Sequence, residues 1–191
     1  MRKKIIGGDL RRKWIILDLL AGVILAYRKG CVVEIGVGPS LNSSTGVLYR
    51  RAEEANVKFY TCDTSERKTK ILYGLYDYSK HIHFHGTSEN FMKKFNDKPS
   101  IVFIDGSHKK EMVIKEVRFF LNIMRKGGVI FLHDTFPPSK RFLNSRKCGD
   151  VYKARQELEK EMNCFTWPYT AADVGLTMIM KHDKNRPHFR M

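Results

Sequence analysis

Little in this sequence offers a covalent or metallic scaffold. The four cysteines, Cys31, Cys62, Cys148 and Cys164, form no CxxC pair and have no histidine at zinc-finger spacing. That excludes a disulfide framework or a structural zinc site as the organiser of the fold, and points to free thiols in a reducing, cytoplasmic compartment. Also missing is an apolar run of the ~20 residues that a membrane span requires. The nearest approach, Trp14 to Tyr27, is interrupted by Asp18. Although Arg2, Lys3, Lys4, Arg11, Arg12 and Lys13 precede it, no small-residue cleavage site follows, so a signal peptide is not indicated. Internal repeats are absent. So are the third glycine of a nicotinamide-binding turn, which would fall near Leu41, and the Gly-Lys-Ser/Thr of a phosphate-binding loop.

What the chain does have is material for one domain over residues 1–191: 42% hydrophobic and 12% aromatic residues, enough to bury a core. Lysine and arginine number 35 against 20 acidic residues, a net charge of +15. Such a surplus suits anionic partners such as nucleic acid, acidic glycans, phosphorylated substrates or anionic lipid, or else simply a lysine-rich solvated surface. Ile16, Leu17, Leu20, Ile24 and Leu25 recur at helical spacing, which predicts a basic, amphipathic N-terminal helix over about residues 9–28. Such a helix could form a lid or a contact within a homo-oligomer.

The densest signal lies between Cys31 and Ser40. Val32, Val33 and Ile35 suit a strand covered on both faces, and Gly36 and Gly38 let the chain turn sharply beyond it. Downstream, strands are expected at Val57–Cys62, His81–His85, Ile101–Ile104 and Val129–Leu132, with helices between them. Asn42 or Ser43, and Ser65, are expected to cap two of these helices, Pro99 to end the segment before strand four, and Gly127-Gly128 to stop a helix begun at Lys109. A basic loop should cover Phe136 to Lys147, followed by a helix to about Met162 and a closing pair of strands, Phe165–Tyr169 and Val174–Lys181. Alternating strands and helices imply an α/β fold with a mostly parallel sheet, whose ligands bind beyond the carboxyl ends of the strands. There the chain carries Glu34 before the turn, Asp63 after strand two and Gly86-Thr87-Ser88 after strand three. An acid at the end of strand two can accept hydrogen bonds from both hydroxyls of a ribose; the alternative is a turn or helix-cap residue.

With these residues the chain resembles the class I S-adenosylmethionine-dependent methyltransferases over nearly its whole length. Glu34-Ile35-Gly36-Val37-Gly38 is similar to their Glu-x-Gly-x-Gly motif, and the closing strands are similar to the antiparallel hairpin of their seven-stranded, Rossmann-like sheet. Phe103-Ile104-Asp105-Gly106-Ser107-His108 and Gly127-Gly128-Val129-Ile130-Phe131-Leu132-His133-Asp134 resemble a branch of O-methyltransferases acting on sugars and natural products, related to metal-dependent catechol-type enzymes. The resemblance implies that Glu34, Gly36 and Gly38 serve the methionine end of S-adenosylmethionine, that Asp63 holds its ribose and that Thr87 and Ser88 flank its adenine. Asp105 counts with this cofactor set, with His108 as a catalytic residue, and with Asp134 as a ligand of Mg²⁺ or a similar cation.

Methyl transfer needs alignment, a route for the acceptor's proton and shelter from water. A cation bound by oxygen ligands would ease deprotonation of a hydroxyl. His108 is the expected proton acceptor near neutral pH, or a helix-cap neighbour without chemistry. His133 is expected to bond backbone, with metal ligation the alternative. The chain departs from the resemblance twice: Thr135 stands where catechol-type enzymes have an asparagine ligand, and Lys110 where sugar-modifying relatives have an aromatic residue. The expected acceptor is a hydroxyl on a sugar, glycan precursor or small polar metabolite, anionic if Lys109, Lys110, Lys140, Arg141 and Arg146 receive it. The rivals are a nucleic-acid methyltransferase, which lacks its Asp/Asn-Pro-Pro-aromatic motif after strand four and a Lys-Asp-Lys-Glu tetrad, and a non-catalytic basic module with the same fold.

Overall fold

The computed structural model describes residues 14–76, 79–168 and 174–180. The basic residues before Trp14, and the ends of both closing strands as expected from sequence (Tyr169 and Lys181), lie outside them. The elements in chain order are α1 (Ile15–Tyr27), β1 (Cys31–Ile35), α2 (Ser44–Glu54), β2 (Phe59–Asp63), α3 (Glu66–Leu75), β3 (His81–His85) and α4 (Ser88–Lys94). Then come β4 (Pro99–Ile104), α5 (Lys110–Ile123), β5 (Val129–His133), a 3₁₀ turn (Lys140–Phe142), α6 (Val151–Leu158), β6 (Asn163–Trp167) and β7 (Leu176–Met180).

The strands form one seven-stranded sheet in the order β3-β2-β1-β4-β5-β7-β6. The first five are parallel, and β7 runs antiparallel to both β5 and β6. Every residue of β1 and of β4 is buried, as strands covered on both faces require. Alternation then divides the core. Val33, Ile35, Val102, Ile104, Ile130 and Leu132 pack with α5 and α6 on one face, and Val32, Ile101, Phe103, Val129 and Phe131 pack with α1 and α2 on the other. Chain order reverses direction between β1 and β4, which opens a crevice at their carboxyl ends.

Several local expectations shift. Strand two starts at Phe59, two residues late, and runs through Asp63. Asn56, with φ 59°, absorbs the turn after α2, a conformation asparagine tolerates better than most residues. Pro99 opens β4 instead of ending what precedes it; a first position needs no ladder N–H from it. Ser43 stands at the N-cap of α2 without capping it, because its hydroxyl donates to the carbonyls of Gly38 and Ser40 at 2.7 and 2.6 Å. Ser65 does cap α3 and accepts from the Lys68 N–H.

Candidate active site

The glycine turn after β1 is built around contacts that only glycine permits. Gly36 has φ +81°, and a Cβ there would lie 2.1 Å from the carbonyl oxygen of Asp105. The turn is thereby pressed against the end of β4, as the Asp105 N–H bond to the Ile35 carbonyl, 2.7 Å, also requires. Glu34 lies beneath the turn, fully buried; its Oε1 accepts the Ser44 hydroxyl at 2.6 Å, and Oε2 has no hydrogen-bond partner among the described residues. Burial pushes this carboxyl up to about 8 against the help of Ser44 and Thr45. The Gly38 N–H donates to Thr45 Oγ1 at 2.8 Å.

A cavity of about 510 Å³ opens above, walled by Gly36, Asp63, Thr87, Ser88 and Asp105 among others. Five of the seven residues expected at the cofactor therefore meet on one wall; Glu34 and Gly38 support it from behind. Asp63 accepts from the Val37 N–H (2.9 Å), the Ser65 N–H (2.8 Å) and Lys68 Nζ (2.9 Å). Burial works against its charge, yet these donors hold its carboxyl below the usual carboxylate value. It is thus an ionised group that can only accept hydrogen bonds. Thr87 caps α4, its Oγ1 accepting from the Asn90 N–H at 3.3 Å. A cavity of this size with an acceptor-only carboxylate and close backbone approach fits a nucleoside-bearing cofactor.

Beside it, the ends of β4 and β5 bring two acids and two histidines together. His108 Nε2 lies 3.1 Å from Asp134 Oδ2 and 3.9 Å from Asp105 Oδ1. His133, expected to bond backbone, reaches the carboxylates: its Nδ1 lies 3.0 Å from Asp105 Oδ1 and 3.3 Å from Asp134 Oδ1. Asp134 takes φ +60°, rare for a residue with a side chain. One donor atom each from Asp105, His108 and Asp134 lies within 4.8 Å of the others. The two carboxylates of this set fit a divalent cation such as Mg²⁺ or Mn²⁺, both of which take oxygen ligands. Without a cation, hydrogen bonding to Asp105 and Asp134 raises His108 to about 10, so it carries a proton at neutral pH instead of awaiting one. Burial opposes the charge of Asp105, but His133 and His108 outweigh it and hold that carboxyl far below the usual range.

Several residues of the site carry no motif in the sequence. The segment after the 3₁₀ turn clasps His108: the Ser145 carbonyl meets its Nδ1 at 3.1 Å, and the Asp150 N–H donates to its carbonyl at 2.8 Å. Gly149, at φ +52°, allows this approach, since a Cβ there would lie 2.3 Å from the His108 carbonyl oxygen. Cys148 donates to Asp134 Oδ1 at 3.6 Å, and burial pushes its thiol up to about 12. Lys68 was findable: five residues past Asp63, it lies one turn into the helix that follows β2. Lys110 is drawn to Glu157 on α6 at 2.6 Å. Trp14 backs the cluster, its ring 5.4 Å from that of His133 and 5.8 Å from that of Phe103.

A larger groove, about 1070 Å³, lies at the opposite edge, by the amino ends of β1, β4 and β5; no expected site residue lines it.

Residues 33–135 match the model of a family described as a methyltransferase domain. The fold is similar to that of the S-adenosylhomocysteine-bound methyltransferase PaMTH1 from Podospora anserina, with 18% identity and a TM-score of 0.67 over 93% of this chain and 89% of that one. It is similar to cofactor-bound Rv0187 from MTB, with 18% identity and a TM-score of 0.69 over 96% and 84%. The O-methyltransferase from Bacillus cereus in complex with S-adenosylhomocysteine gives 15% identity and a TM-score of 0.67 over 94% and 84%. No curated protein matches the sequence.

Proposed function

The chain belongs to the methyltransferase domain family, whose model spans the glycine turn and both strand-end aspartates, and from that premise we propose that it is an S-adenosylmethionine-dependent O-methyltransferase with a divalent cation at Asp105 and Asp134. The observation that carries the reading is the ionised, acceptor-only Asp63 on the wall of the cavity beside the Gly36 turn. Solved O-methyltransferases share the fold.

S-adenosylmethionine supplies a methyl group on a sulfonium. With that methyl group bound, an acceptor oxygen would bond to its carbon as the carbon–sulfur bond broke, the electron pair passing to sulfur, and the hydroxyl proton would have to leave. His108 and the two aspartates face that proton. His108 can accept it once the carboxylates are compensated by another positive charge, which is the chemistry a divalent cation supplies there. Lys109 follows His108 in sequence, and Arg146 follows Ser145, whose carbonyl meets the imidazole. These two cations, with Lys140 and Arg141, suit an anionic sugar, glycan precursor or small polar metabolite as acceptor. With Lys110 engaged by Glu157, it is the least available of the group. Four free cysteines suit a reducing, cytoplasmic setting.

The test is calorimetric titration with S-adenosylmethionine, with Mn²⁺, Mg²⁺ or chelator, on the wild type and Asp63→Ala. Asp63→Ala is expected to weaken binding at least about tenfold, the scale of hydrogen bonds to a charged group. Chelation is expected to abolish transfer to hydroxylated acceptors, and added Mg²⁺ or Mn²⁺ to restore it. No cofactor binding by the wild type would refute the reading. Binding without transfer to any acceptor would favour the non-catalytic module. Methylation of RNA with a steep salt dependence would favour the nucleic-acid rival.

A further inference from the structure

Helix α1 buries Leu17, Ala21 and Leu25 against the sheet. Opposite them, Ile15, Leu19, Val23 and Tyr27 recur every fourth residue and stand 48, 56, 57 and 78% exposed. Ala26 lies among them and the helix itself puts no charge on this face; Gly22 marks its flank, where a Cβ would lie 3.4 Å from the Arg51 guanidinium. The helix's one charged residue, Asp18, turns sideways to Arg50 and Arg51 at 3.1 and 2.9 Å. A helix that is apolar all round is ordinarily covered all round. Here the uncovered half belongs to a chain of net charge +15.

The stripe does not end in open surface. Ala26 and Tyr27 form part of the large groove, whose cations are Arg28, Lys29, Lys98, Arg125 and Lys126 and whose one carboxylate among the described residues is Asp97. Asp97 is itself engaged, 3.7 Å from Lys58 Nζ and accepting the Tyr60 hydroxyl at 3.2 Å. An aliphatic strip therefore runs directly into a cationic rim. At the other end of the strip, Arg11, Arg12 and Lys13 precede Trp14 in sequence.

We propose that this surface docks the protein on an anionic lipid bilayer, with α1 lying in the membrane plane. The stripe would rest on the acyl chains and the groove's cations would meet lipid phosphates. A bilayer offers an apolar phase directly beneath an anionic layer, and the chain presents the complement of both side by side. A second copy would bring two cationic rims together, which their charge opposes. A nucleic acid would use the rim but gain little from an aliphatic strip. With 13 residues, about 20 Å at the helical rise, α1 is long enough to lie on a bilayer and too short to cross it.

Flotation of the full chain with vesicles tests this, using phosphatidylcholine alone and a 7:3 mixture with phosphatidylserine, at low and high salt. The protein should float with the anionic vesicles only, and high salt should loosen it. The pair Leu19→Glu and Val23→Glu should cut partitioning more than tenfold while leaving the thermal melt unchanged, because both side chains are exposed. The pair Arg28→Glu and Lys29→Glu should cut it by at least about fivefold per charge, the scale of a basic residue at an anionic surface. The charge pair keeps the test decisive should the apolar pair misfold. Failure to float with anionic vesicles overturns the proposal, as does flotation indifferent to both pairs. A dimer in sedimentation velocity that Leu19→Glu and Val23→Glu dissolve would assign the face to a second copy. RNA retention lost with the charge pair but not the apolar pair, without flotation, would assign the rim to nucleic acid.

Discussion

Replacing Glu34 by glutamine should change how stability depends on pH while sparing the turn above it. The Glu34 carboxyl sits at about 8 in the folded protein, raised by burial from an ordinary 4.5. Between those values the folded chain holds a proton that the unfolded chain has released. Unfolding then releases that proton, so stability is fullest at acid pH and is lost as pH rises toward 8. Integrating one proton from pH 6 to 7.5 gives a loss of about 2 kcal/mol, or about 4–8 °C in melting temperature for a chain of this size. Glutamine keeps the shape and can still accept the Ser44 hydroxyl at the Oε1 position, now 2.6 Å away. It cannot ionise. The assay is thermal or urea unfolding of both proteins across that range, read as the difference in slope. The variant should be flatter, and more stable than the wild type at pH 7.5 relative to pH 6. Glu116, raised by burial to about 7, and His108, raised to about 10, tilt both proteins the same way and cancel in the comparison. Parallel pH profiles would refute the argument that a buried, protonated carboxyl supports the turn.

Gly36→Ala should destabilise the fold by about 2 kcal/mol or more, since the left-handed conformation alone costs about 1–2 kcal/mol and the new methyl meets the Asp105 backbone; a melting curve like that of the wild type would contradict the turn geometry. Gly74→Ala should do the reverse: the site, in the last turn of α3, is open, with nothing among the described residues within 4 Å of a new Cβ, and helix propensity favours alanine by about 0.5–1 kcal/mol. Its melting point should rise by a few degrees, and a fall would mean that the glycine has a contact or conformation unaccounted for. On the acid side, burial lowers His81 to about 4 from 6.5, so its own contribution to stability should fall as pH drops below about 6.5 and level off near 4, against the opposite slope of Glu34 and Glu116. His81→Gln should lessen that slope whatever it costs in packing against Phe59 and Tyr76.

The sheet was legible where residue type and ladder position agree. Val32, Val33 and Ile35 can hardly be anything but a doubly covered strand, and the alternation of His81 to His85 gave β3 to the residue. Boundaries slipped where a neighbour decides them: Pro99 starts β4 because its position in the ladder asks for no N–H, a fact about β1 and not about proline. The cavity residues were readable because each follows a strand. The charge on His108 was not, since it depends on Asp134, 26 residues away, meeting it across two adjacent strand ends at 3.1 Å. Periodicity likewise identified the buried side of α1 but could not tell that the remaining apolar residues stay outside.

The position of β7 has a consequence for the order in which the protein can be made. The strand comes last of the seven in sequence yet is hydrogen-bonded on both sides, to β5 and to β6. A ribosome that has delivered β5, ending at His133, must add 47 more residues to reach Met180, roughly 2–10 s of synthesis. Until then β5 presents an open edge of nearly continuous apolar residues, a template for pairing with another nascent chain. The wait is a window in which a chaperone matters more than the final stability does. Moving β7 ahead of β1 by circular permutation would test how much of the protein's yield in cells that wait consumes.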